Sequence, residues 1–333
     1  MDEGLRQSAQ KNPYKGYFMI AFLFAVVGAS VAVLFLLPIS RDGAEYQAMF
    51  DLLNDEVEID SFFSHGSFFW GWLSWLKSNS GSLAIGLLPL IFVGLLIKTY
   101  VFYGFSKSIF YSITIYISIF YLLHEGTQLR IAIALSYAIW ACNEIWYKRY
   151  NKAVLLCGVG FFFHITSFIL PCLFFLCVRY FLIRMAAWPF LLTGVLVNIF
   201  YQLSLDVVFE LFSEHYKDYL YLASSTEQNS SNQFYKYAYS LLSVLILLYF
   251  WRKTYPTKGE PVLDPCLTCS IYGCAMLFWF SGTIAVASRI SDVLTILIVP
   301  VLAAAISSSG QFVRYLSLLA MGFTFAIRAK YLF

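Results

Sequence analysis

Residues 108–142 read SIFYSITIYISIFYLLHEGTQLRIAIALSYAIWAC, two apolar runs with a short polar turn between them. Residues 108–123 and 131–142 carry no charged side chain. A helix needs about 20 mainly apolar residues to cross a bilayer, and each run approaches that length with its flanks. The pattern predicts two membrane helices. The ionisable groups in the turn mark a candidate functional site, because charge is costly at membrane depth.

Apolar runs of this kind recur along the whole chain of 333 residues. Hydrophobic residues make up 60% and charged residues 12% of the sequence, and the mean hydropathy is +0.72. The predicted spans are 18–37, 82–97, 108–123, 129–147, 186–205, 235–251, 266–286, 292–308 and 312–327. The sequence therefore predicts an all-α polytopic integral membrane bundle of about 10–11 membrane segments, a single transmembrane domain over residues 1–333.

The charge and the cysteines argue against several classes of protein. A net charge of +3 without a basic run gives no support for nucleic-acid binding. The seven cysteines lie in or beside apolar segments, which disfavours a disulfide framework. Cys266 and Cys269 have the spacing of a metal or redox pair, but they open a predicted span without a partner pair and are more typical of small apolar helix residues. We expect neither a metal nor a cofactor.

The orientation follows from the enrichment of lysine and arginine in cytoplasmic loops. With residues 1–17 in the cytoplasm, most of the 22 Lys and Arg residues, Lys98 among them, fall on the cytoplasmic side. The loops 38–81 and 204–234 are then periplasmic. Within the first loop, residues 61–76 interleave Trp and Phe with small polar residues, which predicts a helix lying at the membrane interface.

Residues 153–178 do not fit a simple span, because basic residues flank them on both sides and both flanks should be cytoplasmic. As a helix, residues 153–163 reach about 16 Å, roughly half of the hydrocarbon core. We therefore predict a broken hairpin of two short helices, 153–163 and 165–178, hinged near His164. Such a break needs cover from protein or from a water-filled cavity, so we expect the hairpin to carry His164 to a cavity open to the outside.

In this topology the unusual polar residues converge on the outside. Guanidinium groups bind phosphate through bidentate, charge-assisted hydrogen bonds, and a nearby imidazole or carboxylate can take a proton from an attacking hydroxyl. Such a set suits transfer from a lipid diphosphate, whose charge must be neutralised as its bond breaks. The residues concerned are Arg41, Asp42 and Tyr46 after the first span, His124, Glu125, Gln128 and Arg130, His164, and Arg289 with Asp292 in the predicted turn 287–292.

Structural roles stay open for several of these residues. His124 and Glu125 are also typical of residues that cap the end of a membrane span in the hydrated headgroup region. Arg289 and Asp292, three residues apart, are compatible with a local ion pair. Arg41 is also typical of an interfacial anchor, and His164 is compatible with a satisfied core histidine.

The motifs resemble those of the Wzy/EpsG-type bacterial polysaccharide polymerases. Their order and spacing cover residues 38–305. The chain departs from the family in having Gln128-Leu129-Arg130 where Arg-Gln often stands, and in having Asp42 directly after Arg41. The segments that carry the resemblance are 127–135 (TQLRIAIAL), 163–167 (FHITS), Arg41 to Tyr46 with Phe50, and Ala287-Ser288-Arg289-Ile290.

The resemblance implies a membrane glycosyltransferase that polymerises O-antigen or a similar surface polysaccharide. Such an enzyme joins undecaprenyl-diphosphate-linked oligosaccharide repeat units at the periplasmic face of the bacterial inner (cytoplasmic) membrane. Donor and acceptor are both lipid-linked, so neither a sugar nucleotide nor a cofactor is needed. The bilayer is the other implied partner, and the resemblance allows a chain-length regulator.

Roles for the candidate residues follow from this activity. We expect Arg130 and Arg289 to clamp the donor diphosphate, with Arg41 assisting. We expect His164 or Glu125 to be the base that takes the proton of the acceptor hydroxyl. The residues expected to bind or position the substrate are His124, Gln128, Asp292, Asp42 and Tyr46.

Two other classes of protein would use a similar cavity. A transporter or flippase for lipid-linked oligosaccharide usually has an inverted repeat and paired broken helices, whereas this sequence shows one broken segment and no repeat. A membrane O-acyltransferase acting on the glycan also uses His and Arg, but it takes its acyl donor from the cytoplasm. The candidate residues here are predicted on the outside, which disfavours that class.

Overall fold

The computed structural model describes residues 14–52, 67–79, 81–126, 128–201, 261–280 and 284–332. These residues form helices joined by short turns and contain no strand, which confirms the all-α fold. The predicted span 235–251, the predicted loop 204–234 and residues 61–66 of the predicted interfacial helix lie outside the described residues.

The helices in chain order are α1 Tyr14–Val31, α2 Arg41–Leu52, α3 Ser67–Ser78, α4 Leu83–Ser106, α5 Ile109–Tyr116, α6 Leu129–Trp146, α7 Tyr150–Phe163, α8 Ile169–Arg179, α9 Phe181–Tyr201, α10 Leu263–Trp279, α11 Ile284–Thr295, α12 Ile298–Ser307 and α13 Gln311–Leu332. Helix α1 continues through a π-helical turn, Ala32–Leu36, and a 3₁₀ turn, Leu37–Ile39. Helix α5 continues through a π-helical turn, Ile117–Tyr121, into Leu122–His124.

The length and composition of the helices make this a multi-pass membrane protein. Within the described residues, Gly16–Ile39 and Leu83–Ser106 are each long and apolar enough to cross a bilayer. Two further spans result if each of two bent helix pairs is counted as one span. These pairs are α8 with α9, bent by 118°, and α11 with α12, bent by 42°.

Tyr121 links the two π-helical turns and gives a physical reason for the first. Its hydroxyl donates to the backbone carbonyl of Gly28 over 2.6 Å and lies against the backbone N–H of Ala32. In a regular α-helix those two backbone groups would bond to each other. A side chain inserted into this ladder disrupts the helix locally, so Tyr121 joins α1 to the end of the α5 segment.

Aromatic contacts gather the end of α4, the start of α7 and the end of α8 on one side of the bundle. Phe105 in α4 stacks on Phe174 in α8, with ring centroids 6.3 Å apart. Tyr150, the first residue of α7, meets Phe175 of α8 edge to face at 5.8 Å. We call this side the basic end, because its flanking residues include Lys107, Lys148, Arg149, Lys152 and Arg179.

The broken hairpin predicted over residues 153–178 is confirmed. Helix α7 ends at Phe163, His164 is extended, a 3₁₀ turn follows over Ile165–Phe168, and α8 returns to the basic end. The contact between Tyr150 and Phe175 shows that the chain enters and leaves this hairpin on one side. His164 therefore lies at the apex, at the opposite end of the bundle, which we call the site end.

Gly160 lets the hairpin pack closely against α6. A Cβ at this position would lie 3.0 Å from Ser167 Oγ and 3.1 Å from the backbone oxygen of Ala134. We expect Gly160→Ala to lower the free energy of unfolding by about 1–3 kcal/mol, the usual cost of overpacking. Gly158→Ala is the matched control on the same helix, since nothing lies within 4 Å of the position that its methyl group would occupy. Equal unfolding curves for the two variants in detergent would refute the close packing.

Two sequence predictions about the last third of the chain were wrong. The predicted turn 287–292 lies inside α11, and the predicted span 292–308 is divided between α11 and α12. Helix α10 ends at Trp279, earlier than the predicted 286, so the chain has already reversed when α11 begins. Residues 287–292 fit a helix because Ala287 is buried while Arg289 is exposed, so the charge lies on the open face.

Candidate functional site

Helix α3 brings a cluster of aromatic rings to the site end. The ring centroids of Phe69 and Trp70 are 5.2 Å apart. Tyr46 of α2 lies 5.7 Å from Phe69 and 6.2 Å from Trp70. Phe69 is fully buried, so the predicted interfacial segment anchors α2 and α3 to the bundle, and Tyr46, a predicted substrate-binding residue, is part of this packing.

Arg130 lies against this aromatic cluster. It is the second residue of α6, and its guanidinium carbon is 5.5 Å from the centroid of the Trp70 ring. A cation over the face of Trp is attracted by the negative face of the ring. Because a positive charge near a helix N-terminus opposes the helix dipole, the aromatic contact helps to hold Arg130 at an otherwise unfavourable position.

The apex of the hairpin also contacts α3. Phe68 of α3 packs edge to face on Phe163 at 5.2 Å, and Tyr137 of α6 stacks on Phe163 at 5.8 Å. Phe163 is the residue directly before His164. The first turn of α3 therefore contacts both Arg130, through Trp70, and the hairpin break that carries His164.

The imidazole of His164 caps the 3₁₀ turn that follows it. Its Nδ1 is 2.8 Å from the hydroxyl oxygen of Thr166, and it accepts a hydrogen bond from the backbone N–H of Thr166 at 3.3 Å. The side chain is partly buried. His164 is thus oriented by its own turn as well as by the packing of Phe163.

Arg289 belongs to the same end of the bundle. Helices α9 and α10 both start at the basic end, where Arg184 and Asp264 form an ion pair at 3.0 Å. Further along, Trp279 at the end of α10 donates to the carbonyl of Phe190 in α9. Helix α11 then begins at the site end and contacts the 3₁₀ turn after His164. Arg289 is exposed on this helix, and Asp292, one turn later, is partly buried.

Glu125 lies in a buried network. Its Oε1 accepts hydrogen bonds from Lys98 Nζ at 2.5 Å and from the Tyr116 hydroxyl at 2.7 Å. Lys98 and Glu125 are each 1% exposed. The assignment of Lys98 to the cytoplasmic side was wrong, because it lies inside α4 and reaches the turn that joins α5 to α6. His124, next to Glu125, is fully buried and stacks on Phe120 at 5.4 Å.

Three further candidates lie at the starts of helices. Gln128 flanks the start of α6, and its Oε1 is buried with no hydrogen-bond partner in the described structure. Arg41 opens α2 and Asp42 follows it. Their backbone places them just after the first span, at the site end, but their side chains lie outside the described part.

The structure adds residues that the sequence did not single out. Trp70 and Phe68 connect Arg130 to the hairpin, while Lys98 and Tyr116 hold Glu125. A signal existed for Lys98, because a lone charge deep in an apolar helix is itself a sign of a polar partner. Nothing in the sequence indicated which ring of the aromatic segment would meet Arg130.

The site end as a whole is suited to an anion at the surface of a membrane bundle. Two guanidinium groups and an imidazole belong to three different helical segments there, and the ring of Trp70 lies against one guanidinium group. Within the described residues, no group of three His, Cys, Asp or Glu side chains is arranged to hold a metal ion. Guanidinium groups favour phosphate through paired hydrogen bonds.

A comparison with protein-family models gives a match to the EpsG family over residues 16–332. No curated protein and no solved structure matches the chain. The matched range contains the helices that carry Arg130, His164 and Arg289, and it confirms the family resemblance drawn from the sequence motifs.

Proposed function

This chain belongs to the EpsG family, and from that membership we propose that it is a membrane glycosyltransferase that polymerises a surface glycan such as O-antigen. The family indicates a polysaccharide polymerase-type function and glycosyltransferase-like chemistry. The proposed substrates are oligosaccharide repeat units on undecaprenyl diphosphate, used both as donor and as acceptor.

The reaction joins two lipid-linked chains. A hydroxyl oxygen of the acceptor sugar bonds to the anomeric carbon of the donor chain. The bond between that carbon and the diphosphate oxygen breaks, and its electron pair stays on the diphosphate. The hydroxyl proton passes to a base. The products are a chain lengthened by one transfer and free undecaprenyl diphosphate.

One observation carries this proposal: the first turn of α3 contacts both Arg130 and the hairpin break at His164. A cation and an imidazole from distant parts of the sequence are thereby held at one end of a membrane bundle. Charge neutralisation by fixed groups is the main requirement for a departing diphosphate. Neither residue is needed to stabilise a simple membrane anchor.

The proposed roles divide the site end between binding and proton transfer. Arg130 and Arg289 clamp the donor diphosphate, and Arg41 at the start of α2 assists them. Asp292 was expected from the sequence to position the substrate. We propose instead that it takes the hydroxyl proton, because it lies one helical turn from Arg289 and is only partly buried. Glu125 is a weaker candidate for the base, since Lys98 and Tyr116 already occupy its Oε1.

The other sequence-derived candidates keep their binding roles in this proposal. Gln128 offers a buried amide oxygen beside the start of α6. Tyr46 supports Trp70, and His124 supports the turn that leads to α6. Asp42 follows Arg41 at the start of α2. Tyr46 and His124 act through this packing, whereas Gln128 and Asp42 are proposed to contact the sugar portion next to the diphosphate clamp.

The orientation of the bundle gives the proposed location of the reaction. The basic end collects Lys and Arg residues, which favours the cytoplasmic side. The site end then faces the periplasm of a bacterial inner membrane. The exposed rings of Phe68 and Trp75 on α3 provide an apolar surface for the polyprenyl tail next to the guanidinium of Arg130.

Gel analysis of the surface glycan from cells lacking this chain tests the function. We expect the ladder of long chains to disappear and a single repeat unit to remain on its anchor. Loss of all surface glycan would instead indicate that the chain moves lipid-linked units across the membrane. Normal ladders with altered acetylation would indicate acyl transfer.

A further inference from the structure

We infer that His164 acts through a protonated Nε2 as a hydrogen-bond donor to the donor diphosphate, and that Thr166 fixes this tautomer. The inference rests on the proposed function and gives His164 a different role from the base expected from the sequence. It depends on the hydrogen bonds that surround Nδ1, which are fixed by the backbone of the hairpin apex.

The backbone N–H of Thr166 can only donate, and it points at Nδ1 of His164 over 3.3 Å. Nδ1 must therefore present its lone pair. A neutral imidazole with an unprotonated Nδ1 carries its proton on Nε2. The hydroxyl of Thr166, 2.8 Å from Nδ1, supplies a second hydrogen bond to the same nitrogen. The hydroxyl fits either tautomer, and the backbone N–H selects the one with an unprotonated Nδ1.

This tautomer is unsuited to accept a proton from a sugar hydroxyl. The lone pair that would take the proton is on Nδ1, which is already bonded to its own turn. Nε2 has a proton to donate instead. A partly buried N–H donor at the site end, which also carries Arg130 and Arg289, is suited to a diphosphate oxygen, and such donors stabilise the charge that develops as the leaving group departs.

Thr166 is a positioning residue in this scheme. Its backbone N–H is present in any variant except proline, but its hydroxyl is lost in Thr166→Val. The hydroxyl also holds the imidazole plane relative to the 3₁₀ turn Ile165–Phe168. Without it, the ring keeps one hydrogen bond at Nδ1 and gains freedom to rotate.

The first test compares substitutions that each replace the hydrogen-bonding group of only one of the two imidazole nitrogens. In Gln the amide N–H₂ reaches the position of Nε2, whereas in Asn the amide oxygen lies near the position of Nδ1. We expect His164→Gln to retain polymer synthesis in cells, and His164→Asn and His164→Ala to lower it by about 100-fold, the effect of losing one preorganised donor. A base cannot be replaced by Gln, so loss of activity in His164→Gln equal to that in His164→Ala would overturn the inference.

The second test uses binding, which does not depend on turnover. We expect purified wild-type protein in nanodiscs to bind undecaprenyl diphosphate more tightly than undecaprenyl monophosphate. His164→Ala should weaken diphosphate binding by about 10- to 100-fold, the effect of a hydrogen bond to a charged acceptor. Unchanged binding in His164→Ala would overturn the donor role alone. A wild-type protein that binds neither lipid would overturn the proposed function and the donor role with it.

The third test reads the tautomer directly. Nitrogen-15 NMR of histidine-labelled protein distinguishes a protonated from an unprotonated ring nitrogen. The chain has four histidines, and His164→Gln identifies the signals that belong to His164. We expect Nδ1 to be unprotonated and Nε2 to be protonated. The reverse assignment would overturn the inference, whatever activity the variants show.

Thr166→Val completes the set. We expect it to lower the polymerisation rate and to broaden or shift the His164 nitrogen signals, while Thr166→Ser restores most of the loss. Thr193→Val is the matched control, because the hydroxyl of Thr193 is exposed and bonds only to carbonyls of its own helix. Unchanged His164 signals in Thr166→Val would show that the hydroxyl does not position the ring.

Discussion

Arg130→Ala is expected to abolish long-chain glycan while the protein still inserts into the membrane. The guanidinium is one of two charges proposed to neutralise the donor diphosphate. Removing a preorganised group of this kind costs about 10²–10³-fold in rate, and loss of a second hydrogen bond to the same diphosphate adds to that. The measurement is the glycan ladder on a gel, with the amount of protein in the membrane fraction as reference.

Arg130→Lys separates charge from geometry. Lys keeps the positive charge but lacks the planar fork that binds phosphate bidentately and stacks on Trp70. We expect shortened ladders from this variant. Arg179→Ala is the matched control, because Arg179 is an exposed arginine at the basic end. Wild-type ladders from Arg130→Ala would contradict the clamp.

The fold was largely predictable because the chain is apolar enough for span length and charge to determine it. The hairpin over 153–178 followed from two basic flanks that had to lie on one side, and the contact between Tyr150 and Phe175 has that geometry. The reversal before α11 was misplaced because Ser288, Arg289 and Asp292 look like a polar turn. Their helical spacing leaves Arg289 on an exposed face.

The candidate site was predictable in its residues but not in its contacts. Arg130 and His164 stood out because they are ionisable residues within apolar stretches of sequence. The contacts that both residues share with α3 could not be predicted, because the sequence of an aromatic segment does not indicate which ring faces which helix. Lys98 was assigned to the wrong place for a related reason: counting charges per loop ignores a lysine that is neutralised inside the bundle.

The buried pair of Lys98 and Glu125 leads to the second large expected effect. Removing one member leaves an uncompensated buried charge, which costs about 3–5 kcal/mol. We therefore expect Lys98→Met and Glu125→Gln, each alone, to lower the free energy of unfolding in detergent strongly. The loss should appear as an earlier transition in a denaturant titration. Lys107→Met is the matched control, since Lys107 is exposed and its ammonium group bonds to the nearby carbonyl of Gly104.

The double variant Lys98→Met/Glu125→Gln decides between a structural and a catalytic Glu125. Both charges are then gone, and replacing a buried ion pair by neutral groups is often tolerated or even stabilising. The Gln amide oxygen still accepts from Tyr116, so the turn before α6 and the position of Arg130 should be kept. We expect recovered stability and long glycan chains. A double variant that is stable but makes no polymer would instead show that the pair takes part in the reaction and does more than stabilise the fold.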